Sequence, residues 1–155
     1  MATKANVLVP ETLRGDVHQM CARTVDMLAL VRESFRRQDL TRVDAAARLG
    51  REIHEREKAL IGSVVGQPGE GLVLVPIHLE RIGDNLELLL RAIRTMVAEA
   101  VPFSERAMRE INTLLDVVIE LMECVRDAIP TGNRVLIRNV PAGGFWSGEC
   151  QITVE

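Results

Sequence analysis

One stretch of this chain leaves little freedom in what it can fold into. Val75, Leu79, Ile82, Leu86, Leu89, Ile93, Met96 and Ala100 recur at alternating spacings of four and three. A helix turns once in about 3.6 residues, so this series lies along one side of it; a strand would scatter the same residues over both faces. The seam predicts a long amphipathic helix that has to bury its apolar stripe against other helices. Pro76 sits near its start, which predicts either a helix opening with proline in its first turn or a kink at that point.

The same period returns elsewhere. Leu13, Val17, Met20, Thr24, Met27 and Val31 predict a helix over about 13–35, with Thr12 as its N-cap. After a short break at Gln38 to Leu40, Thr41 followed by Asp44 resembles a capping box. It would open a second helix running to about Val65, with Ala46, Leu49, Ile53, Leu60 and Val64 on one face and Glu57 interrupting them. Gly66-Gln67-Pro68-Gly69-Glu70-Gly71 is a connection. Val101-Pro102-Phe103 breaks the chain again, and Ser104 with Glu105 opens a fourth helix on the seam Met108, Ile111, Leu115, Val118, Met122, Val125 and Ile129.

Short connections between long amphipathic helices make neighbours antiparallel. The expected fold is therefore all-α: an antiparallel, up-and-down bundle of four long helices over residues 1–129. A non-helical tail over 130–155 is expected to follow. In it Val135 to Val140 and Gln151 to Val154 read as strands about a turn at Pro141-Ala142-Gly143-Gly144, a short hairpin-like appendage.

Composition agrees. Hydrophobic residues are 47% of the chain and charged residues 26%, whereas aromatics are only 3%. The core must then be aliphatic, and its straight-chain members favour helices. A net charge of −3 supplies no electrostatic footprint for DNA or RNA, so no nucleic-acid partner is expected. The three cysteines Cys21, Cys124 and Cys150 are far apart and form no CxxC pair, which suits a reducing cytoplasm better than a disulfide framework or a cysteine zinc site. No apolar run reaches the length of a bilayer span and no signal peptide is readable, so direct membrane insertion is not expected.

Candidate chemistry is confined to carboxylates. With Leu79 and Leu86 at heptad position a, Glu80 falls at b and Asp84 at f, one turn apart on the expected outer face, and Glu87 extends the row. With Met122 at a, Glu123 and Asp127 repeat the pattern in the fourth helix, and Asp116 and Glu120 extend it backwards. Clustered carboxylates repel unless they are solvated, paired with arginine, or neutralised by a cation. A hard divalent ion is one answer; ordinary solvated charge, with Arg81, Arg91 and Arg126 near enough to pair, is the other. Glu52 or Glu55 of the second helix could complete a site with Glu80 and Asp84. His54, in the charged run Glu52 to Glu57, belongs to no HExxH motif because Lys58 stands at its last position. Gly83, in mid-helix beside the seam, predicts a close approach by a neighbouring helix or a ligand, the alternative being a tolerated packing glycine. No phosphate loop, dinucleotide fingerprint or nucleophile elbow is present, so no catalytic residue is expected. Nor are there the inward Glu-x-x-His pairs of a di-metal bundle enzyme.

Leu79-Glu80-Arg81-Ile82-Gly83-Asp84-Asn85, in a helix that follows a Gly/Pro break, resembles the signature of the PhoU family, with Asn85 in place of the usual His and Leu86 in place of the usual Ala. Asp44 to Ile61 is similar to that family's second helix, and Ser104 to Ile129 resembles the opening helix of a following repeat, so the likeness spans roughly 13–129. The resemblance implies a non-catalytic adaptor that regulates inorganic phosphate uptake and phosphate signalling. Its implied partners are components of a phosphate transporter and a histidine kinase, which would place it in the cytoplasm, peripheral to the inner membrane through the transporter. It also implies divalent or trivalent metal ions at Glu80 and Asp84, with Glu123 and Asp127 fitting the same spacing. Members of the family have two repeats, whereas this sequence shows one and the start of another. A homodimer that restores the missing half is therefore expected. The alternative is a helical scaffold or dimerisation domain with no metal and no link to phosphate.

Overall fold

The computed structural model describes residues 11–64 and 70–131. They form four helices: α1 (Glu11–Arg37), α2 (Leu40–Val64), α3 (Glu70–Ala98) and α4 (Glu105–Thr131). The all-α expectation holds. The connection at 65–69 and the expected hairpin tail at 132–155 lie outside the described residues.

The helix ends follow local chemistry, with three departures from the expectations above. Glu11 and Thr12 lie within α1, so Thr12 does not cap it. At α2 the cap is Asp39 rather than Thr41. Asp39 Oδ1 accepts the Thr41 backbone N–H at 2.9 Å and the Thr41 hydroxyl at 2.7 Å, supplying an acceptor to a donor the first turn leaves free. α3 starts at Glu70, six residues before Pro76, so the proline stands inside the helix. Ser104 does cap α4: its Oγ accepts the Ala107 N–H at 3.1 Å.

α1 and α3 end alike. Gln38 (φ 53°) and Ala100 (φ 49°) adopt the left-handed conformation. The next amides, Asp39 and Val101, donate back to the carbonyls of Ser34 (3.3 Å) and Met96 (3.0 Å). This satisfies carbonyls at the helix C-termini without the glycine that normally occupies the turn.

α1 is the axis of the molecule. It packs against α2, α3 and α4, and α2 packs against α3, whereas among the described residues α4 touches only α1. Burial follows from that position: Val17, Met20, Cys21, Met27, Leu28 and Val31 are at most 1% exposed. Two polar residues of α1, Thr24 and Ser34, are also buried, and each hydroxyl donates to the carbonyl four residues earlier (3.0 and 2.7 Å), so neither is left unsatisfied. Truncating Met20 or Met27 to Ala should cost about 2–5 kcal/mol by opening a cavity in this axis.

The seams of the other helices are shifted from a strict heptad. α3 buries Leu79, Leu86, Leu90, Ile93 and Met96, while Leu89 is exposed. Leu90 falls two turns after the buried Gly83, on the same side of α3, whereas Leu89 stands about 100° round the helix from it. In α2 the buried line is Val43, Ala46, Gly50, Ile53 and Leu60, with Leu49 only half-buried. No described helix is long and apolar enough to cross a membrane.

Candidate functional site

The motif-bearing face lies where α2 meets α3. Gly83 is buried there, and a Cβ built on it would stand 3.6 Å from Ile53 Cγ2, an ordinary contact. Gly50 faces α3 from the other side; a Cβ on it would come within 2.7 Å of Glu87 Oε1 and 3.2 Å of Met27 Cε. Gly50 is where the approach is tight; the close neighbour of Gly83 is α2 itself, at a distance that an added methyl would also fit.

That approach changes the fate of Glu80. It was expected on the outer face, but its side chain is only 19% exposed and lies against α2, where Oε1 accepts from His54 Nδ1 at 3.1 Å. With α2 on one flank of α3, position b opens into the crevice between the two helices instead of into water. Asp84, one turn on, is exposed. Glu52 is drawn to Arg23 of α1 at 3.7 Å, and Glu55 is exposed. In α4, Arg126 lies 3.7 Å from Glu123 and donates to Asp127 at 2.8 Å. The hydrogen bond from Arg126 holds the Asp127 carboxyl below the usual range.

Among the described residues no three His, Cys, Asp or Glu side chains stand close enough to hold one metal ion. As placed, Glu80 is turned to a histidine, Asp84 and Glu55 are exposed, and Glu52, Glu123 and Asp127 face arginines.

The second feature lies on the opposite side of α3. Because α3 and α4 flank α1 without meeting, an almost wholly apolar groove of about 340 Å³ runs between them. Its floor is Val31 and Phe35 of α1, one wall is Leu89, Ala92, Ile93 and Met96, and the other is Ile111, Leu114 and Leu115. Phe103 closes the end, its ring edge-on to Phe35 with centroids 5.8 Å apart and planes at 86°. Of the seven large hydrophobic residues exposed among the described residues, three, Leu89, Phe103 and Leu114, line this groove. Sequence reasoning singled out none of these as functional. A signal was there, though: Leu86, Leu88, Leu89 and Leu90 in α3, and Leu114, Leu115, Val117, Val118 and Ile119 in α4, make stripes wider than one neighbour can cover.

α4 is held to α1 by polar contacts on its other flank. Arg32 pairs with Asp116 across the two helices. Cys21 lies buried against the α4 backbone, its Sγ 3.9 Å from the Met122 carbonyl oxygen, and burial pushes its thiol up to about 11 despite the lowering influence of Arg126. Cys124 is exposed.

No family model matches the chain, no curated protein matches it, and no solved structure matches it.

Proposed function

We propose that this protein is a non-catalytic helical adaptor that works by presenting the α3–α4 groove to another polypeptide surface. The observation that carries the reading is the clustering of exposed apolar side chains around a concave apolar groove. Isolated exposed leucines are ordinary, whereas a contiguous patch around a groove is what partner surfaces use. The test is genetic and structural at once. Leu114→Glu introduced at the native locus should reproduce the phenotype of deleting the gene, while the purified variant keeps its helicity. A variant that behaves as the unaltered strain where the deletion does not would remove the groove as the working surface.

A link to phosphate is a second reading, favoured by one specific observation: Leu79 to Asn85, the segment similar to the PhoU signature, lies on a helix that packs on its neighbours as a bundle repeat would. On this reading the adaptor acts on a phosphate transporter or its kinase. Phosphate uptake and phosphate-responsive transcription should then change on deletion. If neither changes, the phosphate link is lost and the adaptor reading stands by itself.

A further inference from the structure

We propose that two copies of this chain can exchange α4, each α4 docking on α1 of the other copy in the place it holds within one chain. Where a short connection joins two helices that pack on each other, lifting one away breaks that packing. Here the connection joins helices that do not pack together. Among the described residues α4 packs only on α1, the first helix of the chain, and not on α3, which it follows. An α4 supplied by a second copy makes the same contacts, Arg32 with Asp116 and Cys21 against the Met122 carbonyl. Trading an identical element in this way gives a twofold dimer without any new surface.

What has to change is the connection, residues 99–104. In the single chain it is a tight turn. Ala100 is left-handed at φ 49°, and the amides of Ala100 and Val101 donate to the carbonyls of Val97 (3.3 Å) and Met96 (3.0 Å). Alanine bears a cost in that conformation that glycine does not, and a short hinge under strain invites exchange. Opening the turn returns Ala100 to an ordinary conformation, and Pro102 favours an extended Val101 before it. Stretched out, the segment between Ala98 and Glu105 reaches about 20 Å, two helix spacings. Against opening stand the two turn hydrogen bonds and the edge-on contact of Phe103 with Phe35. The closed chain therefore prevails when dilute. Exchange needs high concentration and a temperature at which α4 leaves α1, and on cooling the product is trapped.

The test warms the full chain at several hundred micromolar to just below its melting midpoint, cools it, and sizes it by light scattering. A dimer should appear that survives dilution in the cold and reverts to monomer when rewarmed dilute. Ala100→Gly, which relieves the closed turn, should lower the yield of dimer several-fold. The decisive measurement mixes two variants of unchanged helicity. In Arg32→Asp, and in Asp116→Arg, the α1–α4 pair becomes two like charges, both in the closed chain and in a dimer of that variant alone. When the two are warmed together, exchange puts opposite charges at both sites, reversed at one and original at the other. The pair is part-exposed, so each site contributes a few-fold at most; the mixture should give several times more dimer than either variant alone. A side-by-side dimer keeps each repulsion inside its own chain and gains nothing on mixing. A mixture that dimerises no better than its components overturns the inference. So does an unaltered protein that stays monomeric throughout, or an Ala100→Gly protein that dimerises more.

Discussion

Gly83→Ala offers a direct measure of whether the glycine in the α3 motif serves packing alone. In a helix interior glycine is about 1 kcal/mol worse than alanine, because it has more backbone freedom to lose. The new methyl would meet Ile53 Cγ2 at 3.6 Å, which is contact without strain. The full propensity gain should therefore appear, with a few tenths of a kcal/mol more from the buried methyl, for a net stabilisation of about 1 kcal/mol. For a chain of this size that raises the melting temperature by roughly 2–4 °C. Gly50→Ala carries the same propensity gain, but its methyl would stand 2.7 Å from Glu87 Oε1 and 3.2 Å from Met27 Cε. Glu87 can swing away; Met27 is wholly buried and has less room, so the gain is offset and the net change is near zero or unfavourable. Thermal melting by circular dichroism, with urea midpoints at constant slope, ranks the two. A Gly83→Ala protein less stable than the original, or Gly50→Ala the better of the pair, would refute this account of the α2–α3 approach. If Gly83→Ala is more stable yet fails in the cell, the glycine serves a contact with a partner.

The remaining expectations concern helix ends, thiols and ions. Asp39→Ala should destabilise the protein at neutral pH. The hydrogen bonds from Thr41 hold the Asp39 carboxyl below its usual range, so its contribution is present above about pH 4 and fades as pH falls through the depressed value; stability-against-pH curves of the two proteins should converge in acid. Ala100→Gly relieves a left-handed alanine and should add about 0.5–1 kcal/mol, read as a higher urea midpoint. Cys124 should alkylate readily in the native state while Cys21 stays protected. Since the folded state keeps the Cys21 proton up to about pH 11 and the unfolded chain releases it nearer 9, stability should fall between those values, and Cys21→Ala should flatten that part of the curve. A cation bound at Glu80 and Asp84 at a hundredfold excess over its Kd would add about 2.7 kcal/mol, or roughly 5–10 °C. With Glu80 turned to His54, no such rise is expected from a panel of divalent ions after chelation. A rise that Asp84→Ala abolishes would establish the site that the resemblance implies.

What the residues disclosed depended on how local the physics was. Periodicity is local, so four helices could be read with ends correct to a few residues for α1, α2 and α4. α3 was the exception: Gly71 and Pro76 argued for a later start, yet the helix begins at Glu70 and runs through both. The cap of α2 went to the wrong residue because Thr41 and Asp44 mimic a capping box while Asp39, just before them, makes the bond. Leu89 and Leu90 show the limit of a strict heptad, since which of two adjacent positions is buried depends on where the neighbouring helices sit. Pairing between helices is not local at all. Nothing in the α3 pattern says which flank α2 covers, and so Glu80 was placed in water when it lies in a crevice. The groove was hidden for the same reason. The widths of the α3 and α4 stripes are visible, but the separation of the two helices is a property of the assembled bundle.

That separation has a consequence for motion. α4 rests on α1 alone, through contacts such as Cys21 with the Met122 carbonyl that close a chain separation of 101 residues. Closing so long a loop is entropically costly and is rewarded only when α1 is already formed. α1, α2 and α3 have one another, whereas α4 has one neighbour and an open flank. Amide exchange should therefore divide the molecule into two cooperative units, with the α4 amides opening together at a free energy below that of global unfolding while those of α1 exchange only through it. Any partner that fills the groove would give α4 its missing second neighbour, so binding would register first as slowed exchange along α4, on a helix face that the partner need not touch.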